Sequence, residues 1–166
     1  MTKAALIVGA GDATGGAIAR AFAREGFTAC VNRRARNVEQ LEALAQSIRE
    51  DGFAARAYPG DARIEDEVVA MVEAIESDVG PIEVAVFNIG ANVNFSVIDT
   101  TAQVYRKVWE MAAFAGFLMG REVAKRMVER QSGTIIFTGA TASIRGGSGY
   151  SAFSGAKASL RMLAQS

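Results

Sequence analysis

The sequence predicts an α/β fold built on a doubly wound parallel sheet, and two observations carry that expectation. Five short apolar runs alternate with segments of helical periodicity along the whole chain, and a glycine-rich turn joins the first run to the first helix. Parallel strands need crossovers, crossovers within one sheet are right-handed, and the helices therefore cover both faces. The 166 residues read as a single domain, with no internal repeat, linker or low-complexity segment.

The apolar run Ala4 to Val8 reads as the first strand and leads through GAGDATGG to a helix over 14–24. A strand over 28–31 precedes a helix over 37–50, in which Leu41, Leu44 and Ile48 recur at helical spacing. The third strand, 53–58, ends in PGD before a helix over 64–77 whose Val68, Val69, Val72 and Ile75 make one apolar face. After the turn VGP come a strand over 83–87, the loop NIGANVN and one long helical pattern over 101–130. A strand over 134–138, a loop rich in Gly, Ser and Thr, and a helix from about Tyr150 to residue 166 complete the order.

Composition narrows the chemistry. Half of the residues are hydrophobic, and 18 basic side chains balance 18 acidic ones, so the broad basic face that nucleic acid or an anionic membrane would need is not expected. Even the local run Arg33, Arg34, Arg36 is offset by Glu39 and Glu42. The absence of histidine removes serine–histidine and cysteine–histidine catalysis and histidine-ligated metals together, and no metal site is expected. Proton transfer is left to Tyr, Lys, Ser, Thr and carboxylates. The single cysteine, Cys30, lies in a strand pattern as a small hydrophobe and makes no internal disulfide, which suits a reducing compartment. The longest apolar run, MAAFAGFLMG, is too short to span a bilayer, and MTKAALIVGAG lacks the pattern of a secretory signal, so a cytoplasmic protein is expected.

The stretch GAGDATGGAIARAFAREG can be a tight turn alone, because glycine tolerates positive φ. Its setting also suits a ligand. In a doubly wound sheet ligands collect at the carboxyl ends of the strands where the strand order reverses, and a loop that brings backbone N–H groups to the start of a helix can hold a pyrophosphate.

These residues resemble the short-chain dehydrogenase/reductases, and the resemblance covers the entire chain. It implies a three-layer Rossmann-type sheet of order 3-2-1-4-5 whose C-terminal part is missing here. That family's TGxxxGxG motif falls on Val8, Gly9, Ala13 and Gly15, with Val8 for threonine, Ala13 for the middle glycine, and Gly11 as an extra glycine. The resemblance places Gly9, Gly11, Thr14 and Gly15 around a dinucleotide. Asp61, in YPGDARIEDEV, matches the family's adenine-contacting acid, and FNIG at 87–90 matches its NNAG motif, which carries over Asn88 and Gly90.

The end of the second strand separates the two dinucleotides, because an acid there takes the ribose hydroxyls of NAD whereas arginine accommodates the extra phosphate of NADP. Here the sequence is CVNRRAR, with Arg33 at the acidic position and Arg34 after it. A planar guanidinium suits a phosphate dianion, so NADP(H) is preferred and NAD(H) remains open. A solvated loop leading into a helix is the plainer alternative.

The resemblance implies carbonyl reduction by a Tyr, Lys, Ser and Asn set, and three of those positions depart from it. Lys157 is present, but the residue four before it is Phe153, the serine position is Ala140 and the asparagine position is Ala113. Phenylalanine offers no proton and alanine no side-chain hydrogen bond. Tyr150 and Thr141 are the candidate substitutes, although Tyr150 lies seven residues from Lys157, ~10 Å along a helix. Lys157 is also a candidate cofactor ligand. Two functions from different classes follow: an NADP(H)-dependent oxidoreductase acting on a small carbonyl or alcohol substrate, or a catalytically impaired dinucleotide-binding module, a redox sensor or the inactive partner in an oligomer. The family pattern continues past residue 166, so a truncated chain or one completed by a partner is expected, with homo-oligomer contacts near 101–130 and 150–166.

Overall fold

A computed structural model describes residues 3–166. Five parallel strands, β1 (Ala4–Val8), β2 (Thr28–Arg33), β3 (Ala55–Pro59), β4 (Ile82–Phe87) and β5 (Thr134–Phe137), lie in the order β3-β2-β1-β4-β5. This is the doubly wound order expected from the sequence. The order reverses between β1 and β4, which are direct neighbours. Registers align the carboxyl ends: Val8 stands opposite both Asn32 and Phe87, Arg33 opposite Pro59, and Phe87 opposite Phe137. The loops that follow these residues therefore emerge together on one rim.

The strands show why both faces are covered. Ala4, Leu6 and Val8 join one apolar cluster, whereas Ala5 and Ile7 join another, because successive side chains of a strand point to opposite faces. On the first face pack α3 (Glu65–Asp78) and α5 (Ala115–Glu129) through Val68, Val72, Ile75, Leu118, Met119 and Val123. On the second pack α1 (Thr14–Arg24) and α2 (Val38–Glu50) through Ala19, Leu41, Leu44 and Ile48. A third, smaller cluster, Val108, Ala112, Ala113, Ala152 and Ala156, joins α4 (Ala102–Trp109) to α6 (Ser151–Leu163).

The long helical pattern over 101–130 is interrupted. Thr101 caps α4 by accepting a 3.2 Å hydrogen bond from the Val104 amide, and the segment Glu110–Phe114 then widens into a π turn before α5 resumes. The extra residue in such a turn shifts the helical phase, which an apolar pattern alone does not register. Tyr150 precedes α6 as its cap rather than lying within it. Among the described residues, no helix is long and apolar enough to cross a membrane.

Candidate functional site

The turn after β1 is built by close approach. Gly9 has φ +85°, and a side chain there would lie 3.0 Å from the Asn88 carbonyl group and from Ile89. At Gly15 a Cβ would stand 2.5 Å from the Gly9 carbonyl oxygen and 2.6 Å from Ala10 Cα, so α1 can start under the loop only with glycine at this position. Gly15 is buried, and its role is to let the helix approach. Gly11, by contrast, faces open space, as does Gly90 across the crevice. The first turn of α1 has no side-chain cap and no acidic residue, and Thr14 there is exposed. Its free amides and the positive end of the helix dipole are thus open to an anion.

One residue outside the sequence expectations holds this loop in place. Asn32, buried next to the last residue of β2, accepts through its backbone carbonyl from the amides of Gly9 and Ala10 at 3.1 Å each. Its side-chain amide donates to the carbonyls of Tyr58, at 2.9 Å, and Gly60, at 3.2 Å. It therefore ties the loops after β1 and β3 to β2. The signal in the sequence was a polar residue closing an apolar strand, TACVN.

A cleft of about 270 Å³ follows the rim from Gly9 and Gly11, past Arg33, Arg34 and Asp61, to Asn88 and Gly90. Seven of the expected cofactor residues are thus brought together, whereas Thr14, Gly15 and Lys157 do not line it. Arg34 makes no ion pair among the described residues. Partial burial, and then the neighbouring cation of Arg36, pull its guanidinium below the ordinary arginine value. Arg33 stands 3.5 Å from the exposed carboxylate of Asp12. Asp61 is gripped by its own loop: Arg63 donates to its two oxygens at 2.9 and 2.6 Å, and this hydrogen bonding holds the carboxyl below its usual pKa.

Lys157 is buried, and its ammonium donates to the carbonyl oxygens of Ile89, at 3.0 Å, and Thr138, at 2.8 Å. Burial lowers its pKa. The Phe153 ring lies 5.9 Å from the ammonium, where the expected tyrosine would place a phenol. Thr138 in turn donates to the Asn88 side chain at 3.0 Å, and Asn88 donates to the Gly9 carbonyl at 3.3 Å. A single chain of hydrogen bonds so connects α6 to the glycine loop. Thr138, the link in the middle, was read from the sequence only as the end of a strand.

Tyr150 and Thr141 do come together. With Ala140, Phe153 and Arg145 they line a second cavity, of about 540 Å³, in the loops before α6. Lys157 does not line that cavity, and its ammonium bonds to the carbonyls of Ile89 and Thr138 instead. Ala113 sits inside the π turn, buried against α6 with no functional group to offer.

The open glycines Gly11 and Gly90 and the guanidinium groups of Arg33 and Arg34 in the first cleft are of the kinds that suit the phosphates of a dinucleotide. The sequence pattern of the family described as short chain dehydrogenase matches residues 3–166. A solved short-chain dehydrogenase from Rhodopseudomonas palustris superimposes with a TM-score of 0.93 at 50% identity, covering 98% of this chain and 76% of that one. A variant of actinorhodin polyketide ketoreductase, solved with NADPH, gives a TM-score of 0.92 at 27% identity over 98% of this chain and 62% of that one. Among characterised relatives, the 2-dehydro-3-deoxy-D-gluconate 5-dehydrogenase of Formosa agariphila is 29% identical over 98% of this chain and 61% of its own length. The 5-keto-D-gluconate 5-reductase of Escherichia coli K12 is 30% identical over 81% of this chain and 52% of its own. The chain thus spans roughly half to three fifths of the curated relatives it matches. With a pattern match over its whole described length and the sheet order, glycine turn and α6 lysine in place, the chain belongs to the short-chain dehydrogenase family.

Proposed function

We propose that this chain binds NADP(H) in the rim cleft and forms the cofactor-holding part of an oxidoreductase acting on a small carbonyl or alcohol. The observation that carries the cofactor choice is the end of β2, where Arg33 and Arg34 line the cleft in place of a carboxylate. Guanidinium groups suit a 2′-phosphate and leave ribose hydroxyls without their acceptor. The bound nicotinamide would supply hydride transfer. The protein's part is to hold it: the glycine loop and α1 amides at the phosphates, Asn88 and Gly90 beneath the cleft, and Lys157 stiffening the wall between β4 and β5. The cavity of Tyr150, Thr141 and Arg145 is the proposed substrate side.

The second function, binding without turnover, is favoured by one specific observation. Phe153 sits against Lys157, and Ala140 and Ala113 are apolar, so the hydroxyls lining the cavity among the described residues are those of Tyr150 and Thr141. Tyr150 would protonate a carbonyl without the lysine one helical turn away. A self-assembled oligomer is also proposed, with α4, α5 and α6 as its surface, and Tyr105, Trp109 and Phe117 are exposed on the first part of it. A reducing, cytoplasmic setting suits the buried Cys30 thiol.

Titration by nucleotide fluorescence tests the cofactor. NADPH is expected to bind more tightly than NADH, with the gap narrowing as salt rises because exposed charge pairs are screened. Arg33→Asp is expected to weaken NADPH by about 1.5–3 kcal/mol and NADH far less. Equal affinities for the two dinucleotides would overturn the choice.

A further inference from the structure

We infer that Asp12, in the middle of the glycine loop, sets the margin of cofactor choice by competing with a 2′-phosphate for Arg33. The inference rests on the cofactor site proposed above and adds a residue to it. Asp12 Oδ1 lies 3.5 Å from Arg33 Nη1, and no other charged group pairs with either side chain among the described residues. The two are unequally placed. The Asp12 side chain is 81% exposed, whereas Arg33, at the end of β2, is 25% exposed and lines the cleft.

The consequence is electrostatic. A phosphate monoester carries about −1.5 to −2 charges near neutral pH, so a 2′-phosphate brought to Arg33 meets a guanidinium already partnered by a carboxylate. Either the pair opens or two anions share one fork, and both outcomes cost NADP(H) affinity. A ribose 2′-hydroxyl carries no charge and meets neither penalty. Arg34, which has no carboxylate partner, remains free for the phosphate, so Asp12 narrows the preference for NADP(H) without reversing it. Asp12 is exposed, so its carboxylate can be changed with little burial to disturb.

The test is a double-mutant cycle on the complete chain, read as the ratio of NADH to NADPH dissociation constants. Asp12→Asn is expected to raise this ratio about two- to fivefold, the range for an exposed charge pair, and Asp12→Ser to do the same. The increase should fade in high salt. In an Arg33→Ala background the same substitutions should raise the ratio much less, because there is no longer a guanidinium to compete for and only the repulsion between carboxylate and phosphate is left. A ratio unmoved by Asp12→Asn in a chain that binds both dinucleotides overturns this inference alone. So does an equal change in both affinities, the mark of a loop effect, or an undiminished increase without Arg33. A wild-type chain that binds neither dinucleotide overturns this inference together with the cofactor reading.

Discussion

The Lys157 ammonium lies 2.8 Å from the Thr138 carbonyl oxygen, and through it the last helix is fastened to the end of the last strand. The same ammonium reaches Ile89 at 3.0 Å, so one side chain spans the loops after β4 and β5. With both acceptors half-buried beside it, the lysine is as much a structural clasp as a site residue. Lys157→Met, which keeps much of the volume but no donor, is expected to lower stability by about 1–3 kcal/mol for each carbonyl left without a partner. Urea unfolding checks this, and an unchanged midpoint would show that the clasp is not under load.

Restoring the absent hydroxyls tests the chemistry. Phe153 already places a ring 5.9 Å from the Lys157 ammonium, so Phe153→Tyr would set a phenol beside a cation that favours its ionisation. Combined with Ala140→Ser in the complete protein, it is expected to raise reduction of simple aldehydes or diketones by about 10²–10⁴-fold, the usual contribution of general acid catalysis. A wild-type protein that turns over rapidly, and loses that rate on Tyr150→Phe or Thr141→Ala, would instead make one of those hydroxyls the acid.

Gly15→Ala probes the loop without touching any charge. Its methyl group would stand 2.5 Å from the Gly9 carbonyl oxygen and 2.6 Å from Ala10 Cα, contacts that force the helix and loop apart. Overpacking of this kind costs about 1–3 kcal/mol, and dinucleotide affinity should fall with it because the α1 amides are displaced. Gly11→Ala, which meets open space, should leave stability nearly unchanged; comparable thermal midpoints for both variants would contradict the packing assigned to Gly15.

Cys30 supplies the pH test. Burial pushes its thiol from 9.0 up to about 12. Above pH 9 the unfolded chain loses the proton while the folded chain keeps it, so the unfolded state binds fewer protons and stability falls as pH rises toward 12. The slope is about 1.4 kcal/mol per pH unit inside that window and zero below it. The difference in unfolding free energy between wild type and Cys30→Ala, followed from pH 7 to 10.5, isolates this group. In the native state the thiol should also resist disulfide reagents.

The boundaries of most elements were legible because each depends on near neighbours. Leu41, Leu44 and Ile48 mark the buried stripe of α2 whatever packs on it, and the acids Glu65, Asp66 and Glu67 mark the start of α3 by matching the helix dipole. The π turn at Glu110–Phe114 was not legible, since both helices it joins keep an apolar face toward α6 or the sheet. Asn32 could have been noticed as a polar residue in a buried strand, yet its four hydrogen bonds could not, because they run to Gly9, Ala10, Tyr58 and Gly60.

By itself the sequence determined the alternation of strands and helices, the glycine turn after β1, the two arginines after Asn32, and the presence of Phe153, Ala140 and Ala113 where hydroxyl and amide groups were expected. These are matters of residue type and of periodicity over a few turns. Only the tertiary structure decided that Arg33 faces Asp12, that Arg63 closes on Asp61, and that Lys157 turns toward backbone carbonyls 19 and 68 residues away rather than into the cavity of Tyr150 and Thr141. The last of these depends on strand order and register, which bring the ends of β4 and β5 side by side under α6, and a buried ammonium must bond to whatever acceptors that register delivers.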